Sequence, residues 1–178
     1  MRNRSQWVAV AVVLGVLGFG LGAALVLSPE ITRIEPGARA PDAKVVNVAT
    51  GDTVGIRDFR GQVVLLNLWA TWCAPCLEEM PSMERLYQEL GPEGLRIVAV
   101  SIDQLDPDAV RRWTEERAFT FTILQDRSGK IQQTYQTTGT PESFVLDRHG
   151  VIVKKVIGAI PWDHPAQKAL FRRLLAAN

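Results

Sequence analysis

At 178 residues, with 47% hydrophobic and 22% charged residues and no low-complexity tract or internal repeat, the chain has the size of one ordinary domain plus an appendage. Its net charge of +1 supplies no basic face for nucleic acid, and without Arg2 and Arg4 the balance is 18 basic against 19 acidic residues. No class of charged partner is therefore drawn to it by its overall field.

Residues 7–27 (WVAVAVVLGVLGFGLGAALVL) carry no charge. At the helical rise this stretch spans about 31 Å, which matches the ~30 Å hydrocarbon layer of a bilayer. Arg2 and Arg4 precede it and Glu30 is the first charge beyond it. The positive-inside rule then places residues 1–6 in the cytoplasm and the remainder on the extracytoplasmic, periplasmic side of the cell membrane, as a single-pass protein. The alternative is a cleaved signal peptide, with Gly22-Ala23-Ala24 as the small-residue site. The apolar run is longer than a typical signal core and continues past that site, which favours a retained anchor. Gly18 and Gly22 have the spacing of a helix-pairing motif, although glycine is frequent in membrane helices in any case.

Residues 28–40 (SPEITRIEPGARA) have prolines, a glycine, mixed charges and no apolar period, and read as a linker reaching at most about 43 Å. From residue 41 to the C-terminus the pattern becomes that of a folded domain. Segments 44–48 and 53–56 flank Ala49-Thr50-Gly51-Asp52 as a hairpin. VVLLNLW at 63–69 is a continuous apolar run, the mark of a strand buried on both faces. Met80, Met83, Leu86, Tyr87 and Leu90 recur at helical spacing up to Gly91-Pro92. A second buried strand at 95–102, a helix at 107–117, a strand at 119–124 and a short helix at 129–135 follow. Segments 143–147 and 151–157 form a hairpin around Arg148-His149-Gly150, and 165–176 closes as a helix. Strands alternating with helices imply an α/β domain whose mixed sheet is parallel in the middle and antiparallel at one end.

The only two cysteines, Cys73 and Cys76, lie in LWATWCAPC. A structural bridge across so small a loop would stabilise little. A zinc site wants about four N or S ligands, and the only histidines, His149 and His164, are scattered. Redox chemistry explains more of the local residues, since CxxC beside a βαβ pattern points there. Cys73 falls where strand 63–69 passes into a helix, and the free N–H groups and positive dipole end of that helix favour a thiolate. An ordinary thiol is only a few per cent ionised at pH 7, whereas one with a pKa near 7 is about half ionised. Pro75 is tolerated in the first turn, where its missing N–H would have no partner. Cys76, one turn further in, is expected to be more buried. These positions assign attack on a substrate disulfide to Cys73 and resolution of the mixed disulfide to Cys76.

The block RGQVVLLNLWATWCAPC at 60–76 resembles the thioredoxin fold, specifically the membrane-anchored TlpA/ResA/CcmG-like thiol-disulfide oxidoreductases, relatives of the redoxins. The likeness runs from Ala40 to the C-terminus and includes Ala40-Pro41-Asp42, IVAVSID at 97–103 and GTPESFVLDRHGVI at 139–152. It implies that Pro141 follows a cis peptide and packs against the active-site disulfide, and that Thr140 offers backbone groups to an extended substrate strand. It also implies that Trp72 borders the partner surface, with Pro75 part of the same recognition site. Segment 101–131 corresponds to an αβ insertion relative to thioredoxin. Cytoplasmic thioredoxins carry a buried aspartate where this chain has Asn67, which cannot titrate. ResA-like members use instead a glutamate three residues after the second cysteine, here Glu79, and i,i+3 spacing puts Glu79 rather than Glu78 on the face of Cys76. Glu79 is the expected proton relay, against the plainer reading of a solvated first-turn glutamate. Pro81 is expected to bend the helix.

With one cysteine pair, the protein cannot regenerate itself, so it needs an upstream membrane dithiol donor if it is a reductant or an oxidase partner if it is an oxidant; the resemblance implies a protein thiol or disulfide substrate and points to reduction. It implies no cofactor and no metal, and a monomer. GTPES looks close to the cytochrome-maturation branch, whose reductases keep apocytochrome c thiols ready for haem. A peroxiredoxin is the rival enzyme, but the threonine expected three residues before a peroxidatic cysteine is replaced by Ala70, with Thr71 off by one. A tethered binding or chaperone module is the rival outside enzymes. Copper delivery would need further soft ligands such as Met80 or Met83. Trp113, Trp162 and Tyr135 are expected to pack in the interior and His149 to lie exposed in a turn.

Overall fold

A computed structural model describes residues 3–26 and 33–177. It separates into two units, Met1–Thr32 and Arg33–Asn178. The first holds helix α1, Asn3–Val26. The expected anchor thus forms a helix as far as Val26, while Leu27 and residues 28–32 of the linker lie outside the described residues. Among the described residues no helix is long and apolar enough to cross a membrane.

In the second unit, β1 (Lys44–Asn47) and β2 (Thr53–Gly55) form the expected hairpin, and Ile56–Phe59 makes a 3-10 turn. Then come β3 (Val63–Trp69), α2 (Ala74–Leu90), β4 (Leu95–Ser101), α3 (Pro107–Glu115) and β5 (Thr122–Gln125). The short α4 (Lys130–Thr134), β6 (Glu142–Leu146), β7 (Ile152–Ile157) and α5 (Pro165–Ala176) complete the chain. The seven strands form one sheet in the order β2-β1-β5-β4-β3-β6-β7. The β3–β4 and β4–β5 pairs are parallel and the others antiparallel.

Every residue of β3 is buried because both faces of this central strand are covered. Strand alternation divides them. Val63, Leu65 and Trp69 face Met80, Met83, Leu86 and Leu90 of α2, with Trp162 and Phe171 in the same cluster. Val64, Leu66 and Leu68 join the opposite cluster with Val98, Leu124, Ile131, Tyr135 and Phe144. Fully burying a side chain of this size contributes about 1.5–3 kcal/mol, so the two clusters supply most of the driving force that fixes the sheet between its helices.

Two expectations change. The sheet is antiparallel at both ends, since the β1–β2 hairpin adds antiparallel to β5 as well as β6–β7 closing the other side. A local hairpin pattern carries no information on which edge it joins. The strand expected at 119–124 begins only at Thr122. Thr120 gives its backbone N–H and hydroxyl to the Glu84 carboxylate (2.8 and 2.6 Å), and the rings of Phe119 and Phe121 stack at 5.4 Å beside Trp113 and Tyr87. Those bonds draw the segment to α2 and away from the ladder. Helix α2 runs as one element through Pro81 to Leu90, as the apolar spacing implied.

Candidate active site

At the C-terminal end of β3 the chain leaves the sheet through Ala70 and Thr71, and α2 begins at Ala74 with Cys73 as its N-cap. This turn is held from the neighbouring strand. Asp103, buried just past β4, accepts the Thr71 N–H (3.0 Å), the Thr71 hydroxyl (2.7 Å) and the Ser101 hydroxyl (2.7 Å). Ile102 N–H bonds Trp69 O at 2.9 Å. The cysteines therefore stand on a turn fixed at both its strand and helix ends.

Cys73 and Cys76 form a disulfide, with their Cα atoms 5.3 Å apart. Cys76 N–H donates to the Cys73 sulfur at 3.3 Å, which places that sulfur at the free N–H groups of the helix start. Cys73 retains 4% of its surface and Cys76 none, the order expected of an attacking and a resolving sulfur. Pro75 lies exposed in the first turn. Trp72 is 69% exposed immediately before Cys73.

The Thr140–Pro141 peptide is cis. The pairing Leu68↔Glu142 sets Pro141 at the end of β3 from which the CxxC turn departs. Pro141 is buried, Thr140 half-buried, and Pro141 O accepts from Gly158 N at 2.8 Å. Beside them Glu142, fully buried, pairs with Lys155 Nζ at 2.9 Å and accepts the Thr138 N–H at 3.0 Å, tying down the loop that carries Thr140.

Of the two adjacent glutamates, Glu78 is exposed and Glu79 is 2% exposed. Glu79 Oε1 accepts from Asn67 Nδ2 at 2.8 Å, while Oε2 accepts from Trp162 Nε1 at 3.2 Å and Ile160 N at 3.3 Å. Burial pushes its pKa from 4.5 up to about 6, opposed by the hydrogen bonds from Asn67, Ile160 and Trp162. A carboxyl with that value exchanges protons near neutral pH. Among the described residues no three His, Cys, Asp or Glu side chains gather as a metal-binding set. Met80 and Met83 are core residues.

Sequence reasoning missed Asp103, Ser143 and Trp162. Trp162 was expected only to pack, and it does, but its indole N–H also reaches Glu79. Trp113 and Tyr135 pack as expected, the first against Trp69 and the second against Phe144, and His149 is exposed.

This geometry, a disulfide of two buried cysteines at a helix start, at the end of the sheet where a cis-proline also lies, defines a thioredoxin-like thiol-disulfide oxidoreductase. Residues 36–155 match the AhpC/TSA family, and the chain belongs to it. It is 32% identical over 151 residues, 85% of both chains, to the thiol-disulfide oxidoreductase ResA of Bacillus thuringiensis subsp. konkukian. It is also 32% identical over 92% of its own length and 96% of the other to the thioredoxin-like protein YneN of Bacillus subtilis. Among solved structures, a putative thiol:disulfide interchange protein DsbE from Chlorobium tepidum superposes with a TM-score of 0.72 at 29% identity, covering 81% of this chain and all of that one.

Proposed function

We propose that this enzyme is a membrane-tethered protein-disulfide reductase working on the extracytoplasmic side, with protein cysteine pairs such as those of apocytochrome c as substrate. The observation that carries this reading is the setting of the cysteine pair: Cys73 caps a helix start and keeps 4% of its surface beside the exposed Trp72, while Cys76 is fully buried one turn from the buried Glu79, whose pKa burial raises to about 6. The relatives named as a thiol-disulfide oxidoreductase and a putative thiol:disulfide interchange protein support thiol-disulfide exchange as the chemistry. The uncharged stretch at 7–27, with Arg2 and Arg4 before it, supports the tether and its orientation.

In the reductive cycle Cys73 thiolate attacks one sulfur of the substrate disulfide. A Cys73–substrate disulfide forms and the other substrate sulfur leaves as a thiolate that takes up a proton. Glu79 accepts the proton of Cys76. The Cys76 thiolate attacks Cys73 Sγ, the mixed disulfide breaks, and the second substrate sulfur leaves as a thiolate to be protonated in turn. Two electrons have passed from the enzyme dithiol to the substrate, and a membrane dithiol donor restores the pair. Trp72 and Pro75 border the reacting disulfide, and Thr140 and Pro141 offer backbone to an extended substrate segment.

The test is the equilibrium reduction potential of Cys73–Cys76 in glutathione or dithiothreitol buffers. A value at or below about −250 mV is expected, and one near −120 mV would make the protein a disulfide donor and overturn the proposal. Activity of an alkaline phosphatase reporter fused after residue 178 tests the side of the membrane, since that enzyme needs an oxidising compartment, and a fusion that is expressed but inactive would refute the orientation.

A further inference from the structure

The contacts around Glu79 hold more than a proton acceptor requires. Its two oxygens have different surroundings. Oε2 faces two donors that cannot change role, the Trp162 indole N–H and the Ile160 backbone N–H. Oε1 faces Asn67, a side chain with a donor on one side and an acceptor on the other. Asn67 Nδ2 donates to Glu79 Oε1 at 2.8 Å and to Ser143 Oγ at 2.9 Å, and among the described residues its Oδ1 is buried without a partner. A buried polar atom left unpaired costs about 1–3 kcal/mol, so such a group invites an explanation.

We propose that Asn67, Ser143 and Trp162 form a two-state cradle that holds the Glu79 carboxyl in one place whether it is charged or neutral, making Asn67 and Trp162 positioning residues of the thiol-disulfide reaction. The inference rests on the reading of Glu79 as the relay for Cys76. With the carboxylate charged, the amide donates through Nδ2 to Oε1 and to the Ser143 oxygen, as observed. With a proton on Oε1, the amide turned over presents Oδ1 to the same two groups. It then accepts from the Glu79 O–H and from the Ser143 hydroxyl, which donates as readily as it accepts. Oε2 stays an acceptor throughout, fixed by Trp162 and Ile160. An aspartate at 67 would offer no donor, and an apolar residue neither role.

The cradle is anchored on both sides. Ser82 Oγ donates to Glu79 O at 2.7 Å and accepts from Trp162 N at 2.9 Å, fastening the segment after β7 to α2. Between these elements lies a cleft of about 260 Å³ lined by Glu78, Glu79, Ser82, Arg85 and residues 159–161. The charged groups facing it are few. Glu78 and Arg85 come from α2, and Arg85 is held by Asp163 at 2.6 Å. From β3 and β6 come the neutral Asn67 and Ser143, while the Glu142–Lys155 pair belongs to the other face of the sheet, where Lys155 lies over Phe144. Within the reduced pair, Cys76 and Cys73 are the remaining titrating groups.

The experiment follows release of the second thionitrobenzoate from Ellman's reagent, the step in which Cys76 displaces it from Cys73, as a function of pH. In Trp162→Phe the ring stays and one fixed donor to the carboxylate is lost. The acid limb should move up, with the rate at pH 6 falling about threefold and the rate at pH 8.5 nearly unchanged. If Trp162→Phe follows the wild-type profile at every pH while Glu79→Gln does not, the cradle is overturned and the relay stands. If Glu79→Gln also follows it, the relay itself fails. Should Trp162→Phe not fold, NMR of the reduced wild-type protein decides. The Trp162 indole N–H and the Asn67 side-chain NH2 should titrate with one shared midpoint that vanishes in Glu79→Gln. Resonances that stay flat from pH 4 to 8 would sink the proposal.

Discussion

Asn67 on β3 donates its side-chain amide to Glu79 on α2 across 2.8 Å, joining the centre of the sheet to the helix that carries both cysteines. In this chain the buried position below the active site is therefore neutral, and the titrating group reaches it from the helix.

That arrangement has a stability consequence with a definite sign. Burial raises the folded-state pKa of Glu79 from 4.5 to about 6. Below pH 4 the group is protonated in both the folded and unfolded states and costs nothing. As pH rises from 4.5 through 6, the unfolded chain ionises first, and the folded state loses roughly 2 kcal/mol relative to it. Glu79→Gln carries no such penalty, and its amide can donate to the unpaired Asn67 Oδ1. Denaturant unfolding of the oxidised proteins should show the variant equal to wild type at pH 4 and more stable by about 2 kcal/mol at pH 7.5. A constant difference across that range would contradict the assignment of the raised pKa to Glu79.

Asp103 governs the turn before the cysteines. Asp103→Asn keeps all three contacts if the Thr71 hydroxyl rotates to accept, and should cost under about 1 kcal/mol. Asp103→Ala leaves the Thr71 N–H unpaired and should cost about 2–3 kcal/mol. It should also slow Cys73 alkylation by a charged reagent about tenfold as the turn loosens. Equal behaviour of the two variants in thermal melts and alkylation would show that the carboxylate is not the clamp.

The Glu142–Lys155 pair secures the loop bearing Thr140 and Pro141. Lys155→Met strands a fully buried carboxylate and should destabilise by about 3–5 kcal/mol, while Glu142→Gln/Lys155→Met should recover most of that loss. Chemical denaturation of the two variants measures this, and a double variant no better than the single one would assign the loss to packing alone.

The unequal exposure of the cysteines predicts opposite trapping behaviour. Cys76→Ser should accumulate a mixed disulfide between Cys73 and the substrate protein, visible on non-reducing gels. Cys73→Ser should accumulate none. Complexes trapped equally by both variants would invert the assignment of the attacking sulfur.

Much of this was legible in one dimension because its causes are local. The apolar run at 63–69 is a buried strand wherever it is placed, Met80, Met83, Leu86 and Leu90 mark a helix face by spacing, and Cys73 at a strand-to-helix junction meets free N–H groups by geometry alone. Glu79 was reached by likeness to the ResA-like pattern, with the i,i+3 spacing from Cys76 choosing it over Glu78, and the cis bond at Pro141 by the same likeness. Trp162, Ser143 and Asp103 were not legible: they meet Glu79, Asn67 and Thr71 across 83, 76 and 32 positions of chain. Only the packing of the 158–162 segment on α2 and the register of β6 on β3 bring those groups within reach. The sequence by itself determined most of the elements and singled out the cysteine pair at a helix start, both set by neighbours along the chain. The tertiary structure alone decided which edge the first hairpin joins and what surrounds the buried carboxyl, because hydrogen-bond partners and desolvation depend on which distant residues fill the space around it.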